Sequence, residues 1–339
     1  MELEKNRIVY GSSNLCFVSG GVVPLRLRCS SGRQLAVGRR RCSVQLSAET
    51  IDDEQRDTDS RTAKWKAEGD FALKAAFANI AAGLLIPALA ASYQAGSLEE
   101  FITLMSTRYV SHYELLALLL AFGTAHSGLA SLRATVTEVI GERLYRVGFA
   151  FVSIPWAVLN IGFFIAHRYD GMQLWRIQGV PGAPEAVWIS AALSFYLLYP
   201  ATFNLLEIAA VQKPTFRIYE TGIMRITRHP QLWGQVLWCI CHSAWIGTTM
   251  PLVASAGLLA HHFLGAWNGD RRLRLKYGKE WEEYAERTSL LPFEAVLDGR
   301  QKLDIREFLK PAYIGVTAFI LGLSKAHPIM LRAKEIIPF

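Results

Sequence analysis

The sequence predicts an all-α protein, a polytopic membrane helical bundle of six or seven transmembrane helices. Three observations predict it. Charged residues make up 19% of the chain and hydrophobic ones 51%, whereas a soluble domain carries about a quarter charged. The apolar residues gather into long runs free of Asp, Glu, Lys and Arg. Aromatic and basic residues, among them Tyr113, Arg133, Arg143, Trp175, Arg225 and Arg228, flank those runs as interfacial anchors do.

The first four runs cover 75–98, 115–132, 147–166 and 186–206, each about the 17–25 residues that a helix needs to cross hydrocarbon. The run 229–269 is long enough for two crossings, with Gly247 and Pro251 marking the turn between them. After it, "RRLRLKYGKEWEEYAERT" reads as an amphipathic helix on the membrane surface. A weaker apolar stretch, 311–323, is the seventh. Residues 49–66 are acidic and polar, a linker or a surface helix. The organisation is a polar linker over 49–70 and an integral-membrane domain over 71–339, with no internal repeat.

Residues 1–48 read as an address. They hold eight basic and two acidic residues, so they carry six of the seven net positive charges. No acid occurs between Glu4 and Glu49, and Ser, Gly, Val and Arg are common, which suits a plastid or mitochondrial transit peptide. A disordered basic tail is the plainer alternative. The remainder of the chain is close to neutral and has no basic patch for phosphates, so nucleic acid is not among the expected partners. Beyond the leader only Cys239 and Cys241 remain, too close in sequence to read as a disulfide framework.

Polar side chains at membrane depth are costly and each needs a reason. His126 sits in "LLLAFGTAHSGLASLR" among the small residues Thr124, Ser127, Gly128 and Ser131. Small residues let a helix approach a neighbour or a flat cofactor closely. One interhelical hydrogen bond from His126 in a tight helix contact explains it equally well. His242 sits in "QVLWCICHSAWIG", with Cys239 three residues and Trp238 four residues before it on the same helix face. Imidazole and thiolate both suit iron, and histidine is a common axial ligand of haem. The spacing is C-x-C-H rather than the C-x-x-C-H of covalent haem attachment, so any haem here is non-covalent. Cys241 reads as a small buried hydrophobe.

His126 and His242 fall on the second and fifth helices, which run antiparallel, at depths differing by roughly 10 Å. Helix tilt and boundary shifts of a few residues are of that order, so a shared iron is allowed without being required. The remaining histidines are weaker candidates. His261 and His262 are adjacent and point about 100° apart, and His112, His167 and His327 lie near helix ends. No H-E-x-x-H, P-loop or G-x-S-x-G pattern occurs.

"RITRHPQLWGQVLWCICHSAWIG" together with "FGTAHSGLASLR" resembles the NnrU-type membrane proteins, and among them the plant plastid isomerases of zeta-carotene. The resemblance runs from about Thr62 to Phe339. It implies a plastid membrane enzyme that turns the central 15-cis double bond of a tri-cis zeta-carotene, a lipophilic carotenoid substrate. It implies a non-covalent haem b, its iron held by His126 and His242 with Cys239 as an alternative ligand, and a reduced active form fed by an electron donor. A second resemblance competes with it. "RHP" followed by "KYGKEWEEYAERTSLLPF" is similar to the C-terminal region of isoprenylcysteine carboxyl methyltransferases, which implies S-adenosylmethionine binding through His229, Tyr277, Glu280, Tyr284 and Pro292. A haem protein that only carries or senses electrons is the third reading.

Overall fold

The structure, a computed structural model, describes residues 48–198, 220–309 and 311–332, with side chains from Asp59 onward. It also describes two short strands, Phe17–Val18 and Gly21–Val22, which pair antiparallel. Apart from these strands and Ala48, the transit peptide read over 1–48 lies outside the described residues, as does the fourth apolar run beyond Leu198. The chain divides into two compact units, Met1–Asp59 and Ser60–Phe339. The second is helical throughout its described elements.

The helices are α1 (Ala48–Gln94), α2 (Leu98–Thr107), α3 (Val110–Ser131), α4 (Arg133–Ile140), α5 (Glu142–His167) and α6 (Ala183–Leu198). They continue with α7 (Ile223–Ile226), α8 (Pro230–Ile246), α9 (Thr249–Tyr277), α10 (Lys279–Arg287), α11 (Glu294–Leu297) and α12 (Pro311–Arg332). Among the described residues four helical stretches are long and apolar enough to cross a membrane: Asp59–Gln94, Val110–Ser131, Glu142–His167 and Pro311–Arg332. α6 is a shorter apolar helix followed only to Leu198, where the described residues stop, and α8 is 17 residues long. α8 and α9 are the run 229–269, split at the expected turn, and they form the centre of the bundle. α9 packs on both α3 and α8, and α8 on α6. A helix covered by protein can carry Gly, Ser, Cys and His where a lipid-facing one needs Leu and Phe. α5 shows the contrast, exposing Val147, Phe151, Ile154, Val158 and Ile161. The weak seventh stretch is longer than expected, because α12 continues to Arg332 through Pro328.

The segment read as a polar linker, 49–70, is helical and continuous with α1. Its inner face is not free. Trp65 packs edge-on against Trp281 of α10, ring centres 5.3 Å apart, and Glu68 pairs with Arg228.

Two glycines show how closely the central helices approach. A methyl group on Gly257 of α9 would stand 2.7 Å from Leu119 of α3. One on Gly234 of α8 would stand 2.8 Å from the Ser194 carbonyl of α6. The α8–α9 turn is capped by the loop after α5: Leu174 N–H donates to the Gly247 carbonyl at 2.7 Å and Thr249 N–H to the Met172 carbonyl at 3.1 Å. Gly247 is left-handed, with φ +71°, and a methyl group on it would collide with the Trp175 carbonyl oxygen, which leaves no room for a side chain.

Candidate functional site

α3 presents His126 to α5 and α9. Its Nδ1 lies 3.1 Å from Ser153 Oγ on α5. Its ring packs against Phe149 at 4.7 Å, Phe122 at 5.2 Å and His261 of α9 at 5.6 Å between centres. The interhelical hydrogen bond of the simpler packing explanation is therefore present. His261 lies against Gly123, where a methyl group would come 3.0 Å from its Nδ1. A cavity of about 340 Å³ runs along this seam, lined by Gly123, Thr124 and Ser127 on one side and Gly257, Ala260 and His261 on the other.

α8 presents His242 differently. Its Nδ1 meets the Trp238 carbonyl of its own helix at 2.9 Å, and Trp238 stacks on the ring with centres 3.7 Å apart. His242 also lies within electrostatic reach of His327 on α12. Cys239 is buried, with Sγ accepting from Gln235 Nε2 at 3.4 Å. Cys241 is buried too, turned toward Ser190 of α6.

The described contacts of His126 and His242 do not include one another, and α9 packs on the helices of both. What the two share is donor chemistry. Each has Nδ1 engaged, and neither Nε2 takes a hydrogen bond among the described residues. This is how ligand histidines are held: one ring nitrogen is fixed by an oxygen partner and the lone pair is kept on the other. Among the described residues no group of three or more His, Cys, Asp or Glu converges on a metal position.

His261 and Ser153 are the neighbours of His126 that the sequence reading passed over. The signal for His261 is its spacing from Gly257. Four residues apart, they share one face of α9, and a glycine on that face marks where α3 comes close.

Of the residues of the methyltransferase resemblance, Pro292 lines one of the two cavities described, and His229, Tyr277, Glu280 and Tyr284 line neither. His229 Nε2 is held by Asp270 at 3.0 Å. Tyr284 is buried, and burial pushes its hydroxyl pKa up. Tyr277 and Pro292 are half-buried, and Glu280 is exposed. His229 belongs instead to a buried ion cluster at the polar end of α9. Arg228 Nη1 lies 2.6 Å from Glu68 Oε2, close but not aligned as a hydrogen bond, and its Nε donates to Asp270 at 3.1 Å. Burial alone would push the Asp270 carboxyl up, but His229 and Arg228 outweigh it and hold the group below its usual range.

Residues 114–334 match the family model described as NnrU protein. The chain belongs to the NnrU family. His126, Cys239 and His242 all lie inside the NnrU match. The chain is similar to the chloroplastic 15-cis-zeta-carotene isomerase of Zea mays, 49% identical over 244 residues, which are 71% of this chain and 67% of that protein. It is likewise similar to the protein of the same name from Arabidopsis thaliana, 54% identical over 223 residues, 65% of this chain and 61% of that one. This NnrU-family chain thus aligns over about two-thirds of the length of the curated relatives it matches. No solved structure matches it.

Proposed function

We propose that the chain is a 15-cis-zeta-carotene isomerase of a plastid membrane, converting 9,15,9'-tri-cis-zeta-carotene to the 9,9'-di-cis isomer. The observation that carries this reading is identity of about half to two proteins of that name. The apolar helices agree with it. The substrate is a hydrocarbon dissolved in the bilayer, and α5 and α12 expose broad apolar faces through which it can be met.

The reading includes a non-covalent haem b whose iron His126 and His242 would hold through Nε2, with Cys239 as an alternative ligand, reduced by a donor at the same membrane. Two features support it: both Nδ1 atoms are engaged and both histidines lie on apolar helices. Bound there, the haem would supply a redox-active iron able to exchange electron density with a conjugated chain. The protein's own part is simpler. Ser153 and the Trp238 carbonyl fix the imidazole rings, Trp238 covers one face of His242, and the surrounding helices keep water away. Cis–trans rotation transfers no proton or group, so no acid–base pair is needed beside the substrate.

Expression in bacteria that accumulate tri-cis zeta-carotene, with chromatography of the isomers, tests the activity. Conversion to the di-cis form is the expected result. An unchanged isomer profile with well-inserted protein overturns the assignment. The absorption spectrum of the purified protein tests the haem separately, through the presence or absence of a Soret band.

A further inference from the structure

A second cavity, of about 670 Å³, lies between α6, α8 and α12, close to the polar end of the bundle. Its size is that of a small-molecule site. Among the described residues no Asp, Glu, Lys, Arg or His lines it. The polar groups in its wall are turned to one another or to the backbone. Tyr196 Oη lies 2.6 Å from Thr317 Oγ1. Thr227 Oγ1 and Trp233 Nε1 donate to the Leu290 carbonyl at 2.6 and 2.8 Å. The Tyr313 hydroxyl meets the Ile223 backbone. An occupant is therefore asked for no hydrogen bond and offered no charge, which describes a hydrocarbon without a headgroup.

The wall also selects among hydrocarbons. Tyr196 and Tyr313 lie nearly parallel, 26° apart with centres at 6.4 Å, and Phe308 packs on Tyr313 at 5.7 Å. Flat parallel rings favour a flat conjugated chain over a kinked saturated one. The mouth faces the lipid, because Leu193 and Ile314 on its rim are exposed. Among the described residues, Arg225, between the lining residues Ile223 and Ile226, is committed to Glu307 at 2.8 Å and to Gln301 at 2.9 Å.

We propose that this cavity binds one acyclic end of the polyene substrate. The identity of the polyene rests on the isomerase reading above. Trp233 and Leu237 in the cavity wall precede His242 by nine and five residues on α8, about 8 to 14 Å along the axis. They stand on the flank of α8 away from that histidine. The axial distance suits a chain end, and the chain would pass around α8 to bring its central double bond to the His242 flank.

The test uses the full chain in detergent and measures zeta-carotene retained per protein after gel filtration. Leu237→Trp fills the inner wall and Ile314→Trp narrows the mouth. The second sits at an exposed position and keeps the test alive if the first misfolds. Leu89→Trp at an exposed position of α1 is the control. Retention should fall at least five-fold in each cavity variant that folds and stay unchanged in the control. Wild-type retention in Ile314→Trp and in folded Leu237→Trp overturns the proposal and leaves the isomerase reading intact. So does loss of co-purified phospholipid alone, which would assign the volume to membrane lipid. No retention by the wild-type chain also overturns it. If the wild type retains the polyene but does not isomerise it, and filling the cavity abolishes retention, the cavity assignment stands and the isomerase reading fails.

Discussion

His126 of α3 lies edge-on to His261 of α9, ring centres 5.6 Å apart, while Ser153 of α5 holds its Nδ1. Three helices thus meet on one imidazole, whose Nε2 remains free to donate. On the proposed reading His126→Ala removes a ligand, and the purified protein should lose its haem or show an altered spectrum in both redox states. Ser153→Ala keeps the ligand but releases its orientation, so haem affinity should weaken by about 10–100-fold. If His126→Ala carries wild-type haem with an unchanged spectrum, the hydrogen bond to Ser153 is a packing feature and the ligand assignment fails.

The two cysteines separate by helix face. Cys239 shares a flank of α8 with His242, whereas Cys241 is about 100° from it and turned toward α6. Cys241→Ala should therefore be mild, costing under about 1.5 kcal/mol with the spectrum unchanged. Cys239→Ala should retain haem yet change the redox-dependent spectrum and lower activity. Equal behaviour of the two variants in ferric and ferrous spectra would remove Cys239 from the ligand set.

Gly234 and Gly148 make opposite predictions from the same substitution. At Gly234 a methyl group meets the rigid Ser194 carbonyl at 2.8 Å, so Gly234→Ala should push α6 from α8 and cost about 1–3 kcal/mol. At Gly148 of α5 nothing lies within 4 Å, so Gly148→Ala should be neutral or gain about 0.5–1 kcal/mol of helix stability. Thermal melts of the two detergent-solubilised variants decide it, and a Gly234→Ala protein as stable as the wild type would contradict the close α6–α8 contact.

Much of this fold was legible because lipid imposes one simple rule on sequence. Among the described residues the runs without charge are helical, and Gly247 is the turn between α8 and α9. α8 and α9 pack against other helices and carry Ser, Cys, Gly and His residues, which lower the hydropathy that marks a span. The role of 49–70 was also hidden, because its polar composition conceals two inward residues, Trp65 and Glu68, whose partners Trp281 and Arg228 lie far along the chain. His126 and His242 could be picked out as costly residues at depth. The approach of His261 to His126 could not, since it depends on which helices are neighbours, and charge-free runs do not encode that order.

The buried cluster of Glu68, Arg228, His229 and Asp270 should anchor the polar end of the bundle. It joins α1, the turn before α8 and the end of α9, and all four belong to no cavity wall described above. Removing one member leaves a buried charge without its partner, which costs about 3–5 kcal/mol. Asp270→Asn should therefore lower the melting temperature without changing the absorption spectrum of the folded protein. The acid response follows from the same contacts. The Asp270 carboxyl is held below its ordinary 3.8 by His229 and Arg228, which outweigh the opposing effect of burial. Its contribution is fully present above that value and disappears as pH falls through the lower native one. Glu220, raised by burial but more strongly lowered by hydrogen bonds from Arg287 and Gln301, acts in the same direction. Wild-type melting should hold steady at neutral pH and drop on acidification below about pH 4, and Asp270→Asn should flatten part of that drop. An Asp270→Asn protein with wild-type stability and an unchanged acid profile would show that the cluster carries no load. Specific S-adenosylmethionine binding by calorimetry, lost on Asp270→Asn, would instead assign these residues to a ligand and favour methyl transfer.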